Sequence, residues 1–182
     1  DFNGTSNRML LPSSMMSGTT AGMAVYVAQV DADPPTSQAK AGPVLGGWGT
    51  NTSGAHMPYT DGAIYDEFLT NSRKNCGNPS PSMSSQPFIC SVLSTTNLWE
   101  MYINGSLLYS TTSNAYAIGS SPTLGNKLSF YMDGRIAEIV AVSTASSATR
   151  QLLEGYVAGS TRWNLQSLLP SNHPYKSSAP TV

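Results

Sequence analysis

At 182 residues, with a net charge of −1 and only 10% charged side chains, the chain has no field that would steer it to nucleic acid or anionic lipid. An ordinary soluble domain carries roughly 25% charged residues, so Ser, Thr, Asn and Gly must build the polar surface here. No apolar run reaches the roughly 20 residues that cross a bilayer, and the length suits one domain with its own core; neither nucleic-acid binding nor membrane insertion is expected.

The chain opens at Asp1, and Phe2-Asn3-Gly4 reads as mid-domain sequence, so a processed product or a piece of a longer protein is expected. Residues 8–11 form a short strand stopped by Pro12. Residues 23–30, rich in Val, Tyr and Ala, are the first clear strand. Asp31, Asp33, Pro34 and Pro35 end it, because Pro cannot donate to a ladder. In that turn Asp31 and Asp33 cap backbone amides, the preferred reading, or offer oxygen ligands to calcium, the alternative. Residues 43–49 form a short strand whose glycines imply close backbone approach. Residues 56–66 read as a hairpin turning at Asp61-Gly62. The prolines at 79, 81 and 87 make residues 70–87 loop or edge, and residues 87–94 are the next strand.

The cleanest local signal follows. Trp99, Met101 and Ile103 alternate with Glu100 and Tyr102, Asn104-Gly105 makes a type I′ turn, and Leu107-Leu108-Tyr109 returns. Residues 116–119 and 128–132 are further strands, and Asp133-Gly134 leads into residues 135–142. In the helix at 150–158, Leu152, Leu153, Tyr156 and Val157 share a face that Ser160 would continue, and Ser146 or Ser147 caps the start. Gly155 costs about 1 kcal/mol there, which suggests a backbone pressed against the sheet. Glu138 is expected to be a buried anchor for Arg150, Tyr156 or the helix N-terminus. Roughly nine or ten short strands with one late helix make an antiparallel β-sandwich. The sandwich spans residues 1–166, and 167–182 form an irregular C-terminal extension.

For chemistry, the strand carboxylates Glu100 and Glu138 stand alone, and Asp66-Glu67 point to opposite faces of a strand. A glycosidase needs two carboxylates about 5–10 Å apart. There is no Gly-x-Ser-x-Gly elbow, and two His with two Cys at wide spacing make no zinc finger. Cys76 and Cys90 read as buried thiols, with pairing in an oxidising compartment as the alternative. Trp48, His56, Tyr59, Asp61 and Tyr65 lie within eighteen residues. Aromatic rings beside a carboxylate are what a shallow glycan site requires. The competing account is that His56, Asp61 and Tyr65 organise the hairpin and that Trp48 is core.

Several stretches fall in a familiar order. They are Asp133-Gly134-Arg135-Ile136-Ala137-Glu138-Ile139, Arg150-Gln151, Glu154-Gly155-Tyr156-Val157-Ala158, Trp163, Leu168-Leu169-Pro170 and His173-Pro174-Tyr175-Lys176. Upstream, His56-x-Pro58, Asp61-Gly62, Ile64-Tyr65-Asp66 and Arg73 precede the Trp99–Gly105 hairpin. Together they resemble the laminin-G-like domains of the concanavalin A-like lectin/glucanase superfamily, in the branch found in phage virion proteins and bacterial surface proteins. One departure is the four residues 159–162 ahead of Trp163, where the family has about two. The resemblance implies an all-β, two-sheet antiparallel jelly-roll β-sandwich with the one C-terminal helix packed at its edge. Catalytic members carry Glu-x-Asp-x-x-Glu on one strand, and this chain has no such stretch. No enzyme and no obligatory cofactor is therefore expected; calcium is the one candidate. The function implied is a virion structural or adhesion domain, in a tail fibre, head fibre or capsid decoration. Its partners would be other virion subunits, copies of itself and host glycans, at the virion surface. The alternative is a carbohydrate-binding or adhesion module of a secreted bacterial protein, placed outside the cell or on its surface.

Overall fold

The structure, a computed structural model, describes residues 1–32, 42–159 and 161–181. Its strands are β1 (Phe2–Asn3), β2 (Met9–Leu10), β3 (Ala21–Val30), β4 (Leu45–Gly46), β5 (Ile64–Asp66), β6 (Lys74–Gly77) and β7 (Phe88–Thr95). Then follow β8 (Leu98–Ile103), β9 (Ser106–Thr111), β10 (Thr123–Leu124), β11 (Asn126–Lys127), β12 (Phe130–Tyr131), β13 (Asp133–Val142) and the helix α1 (Ser147–Ala158).

One six-stranded antiparallel sheet, in the order β1-β13-β3-β7-β8-β9, forms the backbone of the molecule. Its central strands lack a clean apolar–polar alternation because both of their faces are covered. Ala24, Tyr26, Ala28 and Val30 of β3, with Phe88, Cys90 and Val92 of β7, face the second layer. Met23, Val25, Val27, Ile89 and Leu93 face the opposite way, under Val157 and Ala158 of α1. The β8–β9 turn is as expected: Asn104 and Gly105 both take positive φ, at 51° and 77°.

The second layer is broken into short pieces, β2-β10-β4, β5-β6 and β11-β12. Leu45, Trp48, Met57, Ile64 and Phe68 fill the space between the layers. Glycine makes the close approach possible: a Cβ on Gly46 would lie 1.8 Å from the Asn126 carbonyl oxygen. One strand expectation needs correction. Residues 116–119 form no strand; Tyr116 makes an isolated bridge to Thr70, and the Gly119 amide donates to the Trp48 carbonyl at 2.7 Å. In the stretch read as loop or edge, β6 is an edge strand of a two-stranded ribbon, paired with β5.

The helix rests on the outer face of the large sheet, against β3 and β7. Ser146 caps it, its hydroxyl accepting from the Thr149 amide at 3.1 Å. The helix ends at Ala158, and residues 161–163 form a turn; Ser160 lies outside the described residues. Its buried side is Arg150, Glu154, Gly155, Val157 and Ala158, whereas Leu152 is exposed. Leu153, Tyr156 and Val157 of the expected face do pack on the sheet; apolar spacing missed only Arg150 and Glu154, which are charged and neutralise each other. Glu154 takes both oxygens to Arg150 Nη1 at 2.7 and 2.6 Å, accepts from Ser91 Oγ at 2.7 Å and meets His173 Nε2 at 3.0 Å. The Arg150 guanidinium also lies 3.7 Å from the centroid of the Tyr102 ring.

Residues beyond 166 fold back onto the helix, burying Leu169 and His173. This gives Gly155 a different reason from the one expected. A Cβ there would sit 2.5 Å from Tyr175 Cβ and Cγ, so Gly155 admits the C-terminal segment, not the sheet. The anchor role assigned to Glu138 falls instead to Glu154. Glu138 is half-buried and accepts from Arg162 Nη2 at 2.6 Å and Trp163 Nε1 at 2.8 Å. Arg162 is well exposed, so Glu138→Ala should cost about 1 kcal/mol or less in chemical denaturation; a loss of several would contradict this placement.

Candidate functional site

The hairpin at 56–66 gathers four of the five glycan candidates. His56 and Tyr65 form a two-way bridge, with the His56 amide donating to the Tyr65 carbonyl at 2.7 Å and the Tyr65 amide to His56 at 2.9 Å. Gly62, at φ 83°, lets the chain reverse. The rings then cluster: His56–Tyr59 at 4.5 Å, Tyr59–Tyr65 edge-to-face at 5.5 Å, and His56–Phe130 at 4.4 Å. Tyr59 and Tyr65 are half-buried and Asp61 is exposed, while His56 is buried as the platform beneath.

Asp61 accepts from the Ala63 amide at 2.9 Å and from the Tyr65 hydroxyl at 3.0 Å. These bonds, the backbone one foremost, hold its carboxyl below the usual range, and the same contact raises the Tyr65 phenol. Asn75 Nδ2 donates to the Tyr65 hydroxyl at 3.3 Å, and the Arg73 guanidinium lies 4.7 Å from the Tyr65 ring centroid. Asn75 and Phe130 carried no local pattern that would have nominated them. The result is a surface carboxylate, held below the usual range, set among tyrosines.

Trp48 does not join this group. It is buried, packs on Phe68 at 5.4 Å and donates from Nε1 to the Thr123 carbonyl at 3.1 Å, so it is a core residue and not a stacking platform. Asp31 is exposed beside Arg135, at 3.6 Å, while Asp33 lies outside the described residues. Among the described residues no group of three His, Cys, Asp or Glu side chains could hold a metal ion.

Asp66 and Glu67 are both buried. Asp66 accepts from the Phe68 amide at 2.7 Å, and burial pushes its carboxyl up to about 7. Glu67 meets Lys127 Nζ at 2.8 Å and the Gly47 amide at 3.0 Å. Burial also raises Glu67, against the pull of Lys127. Cys76 and Cys90 are free and buried, and burial raises both thiols, which leaves them unreactive.

An open groove of about 480 Å³ is lined in part by Thr50, Asn51 and Thr52, just ahead of the hairpin in the chain. Its lining includes the buried Gly47, Gly49 and Gly119 together with Arg8, Leu10, Asn51, Ser120, Lys127 and Leu128. Only its glycines gave a signal in the sequence; the remaining residues come from distant, short segments.

No family model matches the chain, and no curated protein sequence matches it. Solved structures do. Domain 4 of AbnA, a GH43 extracellular arabinanase from Geobacillus stearothermophilus solved with arabinotriose, is 15% identical with a TM-score of 0.58, over 81% of this chain and 71% of that one. Domains LG4-5 of the mouse laminin α1 chain are 12% identical with a TM-score of 0.57, over 80% of this chain and 44% of theirs. The CBM40 of the Ruminococcus gnavus IT-sialidase, bound to α2,3 sialyllactose, is 12% identical with a TM-score of 0.54, over 80% and 91%. This chain thus spans less than half of the laminin chain. At these identities the likeness shows the fold, the concanavalin A-like jelly roll that the sequence motifs implied.

Proposed function

We propose that this chain is a non-catalytic adhesion module that holds glycans at the surface of Tyr59, Asp61 and Tyr65. The observation that carries this reading is the assembly of two half-buried tyrosines around an exposed carboxylate that one of them holds by a hydrogen bond. Tyrosine offers apolar contact to pyranose C–H faces and a polar edge, and Asp61 accepts from sugar hydroxyls. The fold likeness to modules solved with arabinotriose and with α2,3 sialyllactose supports it, since those proteins put the same architecture to that use.

The non-catalytic part rests on where the carboxylates sit. Asp66 and Glu67 are buried, Glu154 is locked under the helix, and Glu138 is engaged by Arg162 and Trp163. Glu100 accepts from Tyr102 and Ser110 hydroxyls at 3.0 and 3.3 Å. None of these is half of an open acid–base pair.

The module would sit on a virion, in a tail fibre, head fibre or capsid decoration, beside other virion subunits or copies of itself, with host glycans as its external partners. A charge-poor surface rich in Ser, Thr and Asn suits such packing, and the sequence resemblance to phage virion proteins points the same way. A module of a secreted bacterial protein is the second reading, favoured by the likeness to one domain of an extracellular arabinanase.

Tyr59→Ala and Asp61→Ala, tested on a glycan array beside the parent protein, should each weaken retention by about tenfold, the value of one lost stacking or charge-assisted contact. Array binding that neither substitution touches would remove the site.

A further inference from the structure

We propose that the 480 Å³ groove is a separate subsite for a carboxylate-bearing saccharide, with Arg8 as its anion contact; this rests on the glycan-binding reading above. Charge is the first reason. None of the described residues lining the groove is acidic, and Arg8 is exposed with no ion-pair partner among the described residues. In a chain with nine basic residues, an unpaired cation on a groove whose lining holds no acid marks the place where an anion is tolerated. Lys127 also lines the groove, with its charge met from behind by Glu67, so it contributes N–H donors and no net charge. The buried Glu67 fixes its ammonium at 2.8 Å, which sets its position at the groove and leaves further N–H donors.

The shape fits a sugar better than a bare ion. Its lining includes buried glycines: a Cβ on Gly119 would meet the Gly47 carbonyl oxygen at 2.1 Å, so glycine brings the two segments together. Asn51 and Ser120 provide amide and hydroxyl groups for sugar hydroxyls. Leu10 and Leu128 supply apolar surface, being 69% and 56% exposed. Leu128 also stands at φ 57°, an unfavourable region for leucine. The buried Asn126 amide holds it there, donating to the Leu128 and Phe130 carbonyls at 3.1 Å each. A backbone that is held against its preference to present an apolar side chain to solvent matches the C–H face of a pyranose beside a cation.

The test uses the whole chain in calorimetric titrations with oligogalacturonide, oligoalginate and hyaluronan oligosaccharides, each beside its carboxyl-reduced counterpart. Carboxyl reduction and Arg8→Gln should each weaken binding about tenfold, as loss of one charge-assisted hydrogen bond does. Arg8→Gln should leave affinity for the reduced sugars unchanged. Arg8 is exposed, so the variant should fold, and an unchanged melting temperature confirms that. Equal affinity for acidic and reduced forms, or equal losses on both with Arg8→Gln, overturns the subsite while glycan binding stands. Binding of no oligosaccharide, acidic or neutral, overturns the subsite and the proposed function together.

Discussion

Asp66→Asn should stabilise the protein at pH 8 by as much as about 4 kcal/mol and make little difference at pH 4. The Asp66 side chain is buried and accepts the Phe68 amide, and burial lifts its carboxyl to about 7 from an unfolded value near 3.9. Between those values the folded chain holds a proton that the unfolded chain has released, so stability must fall as pH rises. About three units at 1.36 kcal/mol each give the 4 kcal/mol, complete only above pH 7. Glu67, raised in the same direction by burial, adds to the slope of the parent protein. Asparagine keeps an acceptor for Phe68 and never ionises. Urea denaturation at pH 4, 6 and 8 measures this; parent stability flat across the range, with no gain from Asp66→Asn, would contradict the placement of Asp66.

Glu154→Ala should destabilise by about 3–5 kcal/mol, because it strands Arg150 under the helix and frees His173 and Ser91 together. For a domain of this size that is a fall in melting temperature of roughly 10 °C. The loss should be largely relieved by pairing Glu154→Leu with Arg150→Met, since an apolar pair needs no charge partner. Thermal melts of the single and double variants separate the two. Were Glu154→Ala near neutral, the helix would not be held by this cluster.

How much of this could be read beforehand follows the range of the interactions involved. The β8–β9 hairpin depends on alternation and on a turn dipeptide, both local, and it stands where expected. The hairpin bearing Tyr59, Asp61 and Tyr65 was legible for the same reason. Trp48 was ambiguous because a tryptophan among glycines looks alike on a surface and in a core. Its Nε1–H finds the Thr123 carbonyl 75 residues away, and that contact buries it. The second layer was hardest. Its strands are two to four residues long, too short for any periodicity, and are ordered by tertiary contacts such as Asn126 with Gly46. The groove lies on that layer, so its residues were invisible except for the glycines. On the helix, apolar spacing correctly pointed to Leu153, Tyr156 and Val157, whereas Leu152 is turned out and the Arg150–Glu154 pair is turned in, which no apolar pattern marks.

The central claim is a module that binds glycans and leaves them intact. Affinity electrophoresis of the chain through gels containing a panel of plant, bacterial and animal polysaccharides, with reducing ends assayed on the same samples, tests both halves at once. The expected result is retardation by at least one polysaccharide, relieved by Tyr59→Ala and Asp61→Ala, with no new reducing ends. Release of reducing ends, or unhindered migration through every gel, would contradict it.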